Sequence, residues 1–313
     1  MERITLLWEE TANEAAREIL EPIVPVFEVV THLGDGAFLL VLAVLIYWFG
    51  AEDARQDRAF VLAVGTAALA LSAGLKGIFQ IPRPDVAFAP LYYPGYTFPS
   101  AHAMGAAAFY GALAITMTRG RRSMRFAIAG LLIVAISLSR VVMGVHYLGD
   151  VVVGSALGLA LVGLGSRYRK DNGFDPGPMF VIAAIIAVGG ALLGSVVFLS
   201  LTIGAAVGGA IGWYIVKDRP TTSIGAAVLV LGVGGIVGIL GLRWFSLWLG
   251  LQSVVPSHSG IVVFSETIAY ILLTIFVLIV PWLALSLERH ERIRQLQRVL
   301  PFRGRILEPR SRH

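Results

Sequence analysis

Cysteine is absent from this 313-residue chain. Its absence excludes disulfides, thiolate nucleophiles and cysteine-ligated metal sites, and it leaves the redox compartment undetermined. Charged residues are scarce as well, at 14% of the chain, whereas 57% of the residues are hydrophobic and the mean hydropathy is +0.78. Soluble domains usually carry about 25% charged residues. The composition therefore predicts a polytopic membrane protein, in which any chemistry must come from His, Asp, Ser, Lys or Arg side chains.

Apolar segments long enough to cross a bilayer, which takes roughly 20 helical residues, recur along the chain. We place them at 33–50, 58–79, 101–118, 125–143, 149–166, 178–198, 200–216, 222–241 and 261–285. Segment 1–21 instead mixes apolar and polar residues at helical spacing, with Asn13 among the polar ones. It predicts an amphipathic helix on the membrane surface. We therefore predict an all-α fold, a polytopic transmembrane helix bundle of about nine spans with an N-terminal interfacial helix.

The predicted spans divide the chain into four parts. Residues 1–32 would form the interfacial helix and entry segment, 33–168 a transmembrane core, 169–286 additional transmembrane helices of unknown role, and 287–313 a basic tail. The additional helices offer no residues with evident chemistry. They do contain small-residue spacings that favour close packing of helices, at Gly204/Gly208/Gly212 and Gly234/Gly238.

Nine spans would leave all but six of the 25 Lys and Arg residues on one face of the membrane. The positive-inside rule assigns that face, and the C-terminal tail with it, to the cytoplasm. Topology then explains the basic pI of about 9.7, with anionic lipid headgroups as expected partners of the tail and no need for nucleic acid. The external exceptions are Arg3, Arg17, Lys76, Arg83, Arg140 and Arg243.

Three polar clusters fall at the external ends of four consecutive predicted spans. They read KGIFQIPRP from Lys76, PSAH from Pro99 and SRVVMGVHYLGD from Ser139. Taken singly, a cation at the end of an apolar helix is usually a snorkelling anchor, and a serine at a helix start is usually a cap. Because all three clusters would meet on one face, we interpret them together as a site.

The residue types in these clusters suit phosphate chemistry. Ser100 would cap a helix whose N-terminal N–H groups can bind phosphate. His146 and Asp150 are four residues apart, so on a helix they would share a face and the carboxylate would orient the imidazole for nucleophilic catalysis. Arg140 adds a guanidinium suited to two-pronged phosphate binding. Since no carboxylate cluster accompanies them, these residues predict phosphoryl transfer without a metal.

The order Lys-x6-Arg-Pro, Pro-Ser-x-His and Ser-Arg-x5-His-x3-Asp resembles the three-part signature of the type-2 phosphatidic acid phosphatase superfamily over about residues 30–168. The resemblance implies that His146 is a nucleophile forming a phosphohistidine, that Asp150 orients it and that His102 is the acid for the leaving group. It implies no metal or other cofactor. The phosphate-binding residues that it implies are Lys76, Arg83, Ser100, Ala101 and Arg140.

One residue departs from the family pattern. The family usually has glycine between the serine and the histidine of the second block, where this chain has Ala101. Because alanine disfavours positive φ, we expect a slightly altered phosphate cradle.

The leading expectation is an integral protein of the plasma membrane that hydrolyses a lipid phosphate or diphosphate at the external face. Polyprenyl diphosphates rank slightly ahead of phosphatidate-type substrates. A phosphotransferase that passes the phosphoryl group to another alcohol could use the same site. From another class, a lipid or solute transporter with a vestigial phosphatase half is the alternative, although predicted spans six to eight lack the ionisable residues that coupled transport usually needs. The sequence leaves the oligomeric state open.

Overall fold

The computed structural model describes residues 6–50, 54–85, 95–170, 173–193, 198–222, 225–248 and 260–299. Helices dominate these segments, and a helix overlaps each of the nine predicted spans. A two-residue antiparallel hairpin pairs β1 (Arg169–Lys170) with β2 (Gly173–Phe174). The all-α class is therefore confirmed. The last part of the predicted basic tail, 300–313, lies outside the described residues.

The chain enters through a broken segment, which we call the N-terminal segment (residues 6–35). A 3₁₀ turn at Leu6–Trp8 precedes α1 (Thr11–Leu20). A second 3₁₀ turn at Glu21–Ile23, α2 (Val24–Val30) and a third 3₁₀ turn at Thr31–Gly34 follow. Prolines in the first turns after α1 interrupt the helix because they lack a backbone N–H. In the described part of the predicted helix over 1–21, the α-helix covers Thr11–Leu20, and residues 1–5 of that prediction lie outside the described residues. Asn13 of this helix, expected on the polar face, is instead fully buried.

The core consists of α3 (Gly36–Phe49), α4 (Arg55–Phe79), α5 (Ala101–Thr116), α6 (Arg122–Val142) and α7 (Leu148–Ser166). The four helices α4 to α7 pack together through alanines and other small or aliphatic side chains. Short connections join α5 to α6 and α6 to α7, and Lys76 at the end of α4 contacts Thr97 just before α5, so successive helices alternate in direction. The C-terminal ends of α4 and α6 therefore lie beside the N-terminal ends of α5 and α7.

Glycines let α5 and α7 lie against each other in parallel. A Cβ added at Gly154 would lie 2.8 Å from the carbonyl oxygen of Ser100, and one at Gly158 would lie 2.4 Å from that of Met104. Both distances are too short for any side chain. The close approach aligns the first turns of α5 and α7, where two of the three polar clusters lie.

Beyond the hairpin, the chain forms α8 (Gly177–Leu192), α9 (Leu199–Val216), α10 (Gly225–Trp248), α11 (Gly260–Leu283) and α12 (Glu291–Val299). Helix α8 packs on α4, and α9 lies between α8 and α11.

The predicted glycine packing is confirmed for one of these helices and wrong for another. A Cβ at Gly208 of α9 would lie 2.6 Å from the carbonyl oxygen of Ile271 in α11, and Gly204 and Gly212 are similarly close to that helix. A Cβ at Gly234 or Gly238 of α10 would meet no described atom within 4 Å. The spacing of glycines alone therefore did not distinguish a packed helix face from an open one.

Five described helices are long and apolar enough to cross a membrane: α4, α6, α7, α9 and α11 with the turn that follows it. The stretch Thr11–Gly34 together with Gly36–Phe49 would pass as a sixth, bent by 53° at the break. Helices α5 and α8 and the part of α10 over 225–238 are apolar but shorter. Length and composition thus support a membrane protein with five or six spans, and the number nine stays a prediction.

Three of the basic connections meet at the end of the molecule opposite the polar clusters. Arg55 donates hydrogen bonds to the carbonyl oxygens of Arg219, at 2.7 Å, and Lys217, at 2.9 Å. The backbone N–H of Phe174 donates to the Asp57 carboxylate at 2.8 Å. The connections at 51–57, 167–177 and 217–221 therefore share one end, as the predicted topology requires.

Candidate active site

Four helix ends bring the three polar clusters together. Lys76 lies in the last turn of α4 and Arg140 in the last turn of α6, whereas Ser100 precedes α5 and Asp150 lies in the first turn of α7. All four side chains are buried, with at most 7% exposure. Buried charges at helix ends are costly unless they are paired, so their partners define the site.

His146 lies in the loop between α6 and α7. Helix α6 ends at Val142 and is followed by Gly144, which has φ of 68°; the N–H of Val145 reaches back to the carbonyl oxygen of Arg140 at 3.2 Å. This is a glycine-terminated helix end. The prediction that His146 and Asp150 share a helix face is therefore wrong, because a turn separates His146 from the helix that carries Asp150.

Asp150 reaches His146 through its position in the first turn of α7. Its Oδ2 accepts the backbone N–H of Tyr147 at 3.0 Å, an acidic side chain at the positive end of the helix. The same oxygen lies 3.3 Å from Nδ1 of His146. One carboxylate thus stabilises the helix start and contacts the imidazole.

Thr97, which the sequence analysis missed, links the two residues more closely. Its side chain is fully buried, its Oγ1 lies 2.9 Å from Nδ1 of His146, and its hydroxyl donates a short hydrogen bond to Oδ2 of Asp150. A hydroxyl has a single proton, so Thr97 must accept the proton of His146 Nδ1. Nε2 of His146 is then the nitrogen that keeps a free electron pair. Thr97 precedes the PSAH cluster by two residues, and no sequence signal distinguishes it.

Cations surround the imidazole on its other side. Nη1 of Arg83 lies 3.2 Å from His146 Nε2 and donates to the carbonyl oxygen of Val145 at 2.8 Å. Lys76 donates to the carbonyl oxygen of Thr97 at 3.1 Å. Burial, and after it the positive charges of Arg83, Lys76 and Arg140, hold the pKa of the His146 imidazole well below its usual value of 6.5. The ring is therefore neutral at pH 7, which is the nucleophilic form.

The start of α5 lies beside this imidazole. Ser100 is the N-cap residue, as predicted, and its Oγ accepts the N–H of Ala103 at 3.4 Å. Its own N–H donates to the carbonyl oxygen of Asp150 at 3.1 Å. These bonds leave the N–H groups of Ala101 and His102 as the first-turn donors for an anion.

Ala101 does not require the backbone freedom of glycine. Among the described residues other than glycine, positive φ occurs at Gln80 and Phe198. Ala101 instead begins helix α5 with ordinary backbone angles, and its methyl group is exposed. The backbone conformation at Ala101 therefore gives no reason to expect an altered phosphate-binding site.

The N-terminal segment covers the loop that carries His146. The side-chain amide of buried Asn13 donates to the carbonyl oxygens of Val141 and His146, both at 2.9 Å. The ring of Trp8 lies against Gly149, where a Cβ would be 2.5 Å from Trp8 Cε2. Segment 6–35, most of which belongs to the interfacial helix and entry segment predicted over 1–32, thus contacts the residues next to the candidate nucleophile.

Two further side chains of this segment contact residues of the signature. Nη1 of Arg140 donates to the hydroxyl of Thr31 at 2.6 Å, and Nε2 of His102 lies 2.7 Å from Oδ1 of Asp35. Asn13 and Thr31 carried no recognisable signal in the sequence. Asp35 did carry one, because an acidic residue inside a predicted apolar span indicates a functional position.

This arrangement can bind an anion through its cations and can attack the bound anion with the neutral imidazole. Among the residues that the structure describes, no group of three or more His, Cys, Asp or Glu side chains could hold a metal ion. The charge at the site is instead supplied by Lys76, Arg83 and Arg140, next to the neutral His146. Together with the start of α5, they form a positively charged site beside an oriented imidazole.

Comparison with known proteins identifies the family of the chain. The model of the PAP2 superfamily matches residues 58–174. Phosphatidylglycerophosphatase B of Bacillus subtilis (strain 168) is 36% identical over 163 residues, which cover 49% of this chain and 79% of that protein. The crystal structure of the first transmembrane PAP2 type phosphatidylglycerolphosphate phosphatase from Bacillus subtilis, at 34% identity, covers 50% of this chain and 81% of its own with a TM-score of 0.46. Because the chain is 36% identical to the Bacillus phosphatidylglycerophosphatase B over 79% of that protein's length, it belongs to the PAP2 superfamily.

Proposed function

We propose that the chain is an integral-membrane phosphatase that removes phosphate from a lipid through a phosphohistidine formed at His146. One observation carries the proposal: a buried, neutral imidazole whose Nδ1 is held by Thr97 and Asp150 while its Nε2 faces the guanidinium of Arg83. This arrangement directs an electron pair to the place where a bound phosphate anion would lie. Asp150 and the three cations then act in the roles that the signature implies.

In the first half-reaction, the phosphate of the lipid takes the place of Nη1 of Arg83 at Nε2. Arg83, Lys76 and Arg140 and the N–H groups at the start of α5 stabilise the charge on the phosphate oxygens. Nε2 of His146 attacks phosphorus, the bond from phosphorus to the lipid oxygen breaks, and His102 gives a proton to that oxygen. Ser100 fixes the start of α5 against α7.

In the second half-reaction, water attacks the phosphohistidine and His102 takes a proton from it. The bond between phosphorus and Nε2 breaks, phosphate leaves, and His146 returns to its neutral form. Positive charge that develops on His146 during both steps is balanced by Asp150 through Thr97. A neighbouring carboxylate favours the charged imidazole and fixes its orientation.

Lipid phosphates are the substrate class that we propose. Ile78 and Phe79, in the same last turn of α4 as Lys76, are 44% and 52% exposed and provide an apolar rim beside the site. An acyl or prenyl chain can remain in the bilayer against such a rim while its phosphate enters. The Bacillus relative is named for phosphatidylglycerophosphate, so this lipid is the first substrate to assay, followed by polyprenyl diphosphate and phosphatidate.

We also propose the orientation that the charge pattern predicts. The nine spans would place the N-terminus and the active site outside the plasma membrane and the basic tail in the cytoplasm. The contacts of Asn13 with the His146 loop support a common side for the N-terminus and the site. The division into an entry segment 1–32, a core 33–168, additional helices 169–286 and a tail 287–313 belongs to the same proposal.

The experiment is a phosphate-release assay of the full chain in detergent on the three lipids, with and without EDTA. We expect release to continue with EDTA because cationic side chains supply the charge, and an acid-labile, alkali-stable phosphoenzyme to appear after a rapid quench. Added glycerol tests transfer, since a phosphotransferase would form glycerol phosphate in place of free phosphate. Failure to release phosphate from any of the lipids, or complete loss with EDTA that Mg²⁺ restores, would contradict the proposal.

A further inference from the structure

Asp35 occupies a helix start but does not perform the usual task of an aspartate there. It is the N-cap residue of α3, with φ of −61° and ψ of 130°, and its side chain makes no capping bond to that helix. An N-cap aspartate normally accepts an N–H of the first turn. The carboxylate instead contacts two histidines, with Oδ1 2.7 Å from Nε2 of His102 and Oδ2 2.8 Å from Nδ1 of His32.

The backbone beside Asp35 lies close to the His102 side chain because residue 34 is a glycine. A Cβ at Gly34 would lie 2.5 Å from Cγ2 of Ile136 and 3.4 Å from Cδ2 of His102, so a larger residue would push the turn away. The hydroxyl of Tyr110 donates to the carbonyl oxygen of Leu33 at 3.0 Å and holds the same turn from α5. Two separate contacts therefore fix the position of the Asp35 carboxylate.

We propose that Asp35 is the positioning residue of the acid–base histidine, which it holds by accepting the Nε2 proton of His102. This inference rests on the function proposed above. With Nε2 committed to the carboxylate, Nδ1 is the ring nitrogen that gives a proton to the leaving lipid oxygen and later takes one from water. A carboxylate beside an imidazole stabilises its protonated form and fixes its orientation.

The two histidines of the site then differ by their surroundings. His146 is enclosed by cations and stays neutral, as a nucleophile must. His102 has the Asp35 carboxylate 2.7 Å from its Nε2, which fixes the tautomer and the orientation of its ring. Active sites commonly assign opposite roles to similar groups in this manner. Asp35 would thus orient His102 as Asp150 orients His146. Asp35 lies in the N-terminal segment, whereas Asp150 lies in α7.

The test compares Asp35→Asn with the parent chain on two substrates that differ in their leaving group. An alkyl phosphate needs a proton on the departing oxygen, whereas nitrophenolate leaves without one. We expect Asp35→Asn to lose roughly 10²- to 10³-fold in kcat on the alkyl phosphate, within the range that acid–base catalysis supplies, and to lose much less on nitrophenyl phosphate. Asp35→Glu should recover part of the alkyl activity. In the His102→Ala background, Asp35→Asn should cause no further loss.

A glycine pair beside Asp35 supplies the matched control. Gly34→Ala should reproduce the selective loss because its Cβ would push the turn away from His102. Gly36→Ala should leave both rates unchanged, since a Cβ there meets no described atom within 4 Å. Equal losses on both substrates for Asp35→Asn would indicate a structural role only and overturn the inference, and so would unchanged rates.

Nitrogen-15 NMR of histidine-labelled protein separates this inference from the proposed function. Chemical shifts report which ring nitrogen carries the proton without any turnover. We expect a hydrogen-bonded proton on Nε2 of His102 in the parent chain and a changed Nε2 shift in Asp35→Asn. If the parent chain hydrolyses neither substrate, the proposed function fails; an Nε2 of His102 without a proton overturns the pairing with Asp35 independently.

Discussion

The site end of α4–α7 and the C-terminal helices α8–α11 are built from similar apolar helices, yet they bury different groups. At the site end, ionisable side chains such as Arg140, His146 and Asp150 are almost fully enclosed and bonded to one another or to the N-terminal segment. In the described part of α8–α11, the buried polar side chains include Ser200 and Thr202, which bond to backbone carbonyl oxygens. The first region is organised by charge and the second by packing.

This difference indicates that the site end of α4–α7 serves function, whereas α8–α11 serve helix packing. Enclosing a charge is costly without a partner, so a connected network of buried charges persists only where it has a use. Small residues and backbone-satisfied hydroxyls carry little such cost, and they serve close helix packing. The comparison therefore predicts large catalytic effects at one end and stability effects at the other.

The largest effect is expected for His146→Ala, which removes the nucleophile. The variant should show no phosphate release above background on any lipid substrate and no acid-labile phosphoenzyme after a rapid quench. His290→Ala, at the opposite end of the molecule, is the matched control and should keep full activity. A phosphoenzyme in His146→Ala would assign the nucleophile to another residue.

Arg140→Lys should be the next most severe change. An ammonium group cannot reproduce the two-pronged contact of a guanidinium with phosphate oxygens, and it cannot keep the same bond to Thr31. We expect a loss of about 10²–10³ in kcat, comparable to removing one group that stabilises transition-state charge. Thr31→Val keeps the guanidinium and should be much milder. Near-normal steady-state rates for Arg140→Lys would remove this residue from the phosphate site.

Thr97→Val should have an intermediate effect because it deletes the hydroxyl between His146 and Asp150 but preserves the shape of the side chain. A hydrogen bond to a charged group contributes about 1.5–3 kcal/mol, which corresponds to roughly 10- to 100-fold in rate. Thr97→Ser keeps the hydroxyl and should retain most activity. If both variants lose kcat equally, packing rather than the hydroxyl explains the role of Thr97.

Gly208→Leu tests the packing region and should have the smallest effect on turnover. Its side chain would force α9 away from α11, where a Cβ already lies 2.6 Å from a carbonyl oxygen. Overpacking typically costs about 1–3 kcal/mol of stability. We expect a lower melting temperature with unchanged kcat in the folded fraction, and no such loss in Gly234→Leu. A reduced kcat at unchanged melting temperature would show that α9 takes part in catalysis.

Much of the site could be predicted from the sequence because each cluster is local. Lys76 and Arg83 are seven residues apart, and His146 and Asp150 are four apart, so their spacing is visible without a fold. The contacts of Asn13 and Asp35 join residues 133 and 67 positions apart. No local pattern encodes such pairs, and the helix-face interpretation of His146 was wrong because α7, which carries Asp150, begins only at Leu148.

The sequence by itself determined that the chain is helical, that it belongs in a membrane and where its helices lie. A lipid environment requires every backbone group to be satisfied within its own segment, so apolar length and helix position follow directly from composition. Only the tertiary structure decided what surrounds each histidine. Thr97 and three cations face His146, whereas Asp35 faces His102, because segments distant in the chain fold onto the same end of the bundle. The physical reason is that an imidazole's charge state depends on its neighbours in space.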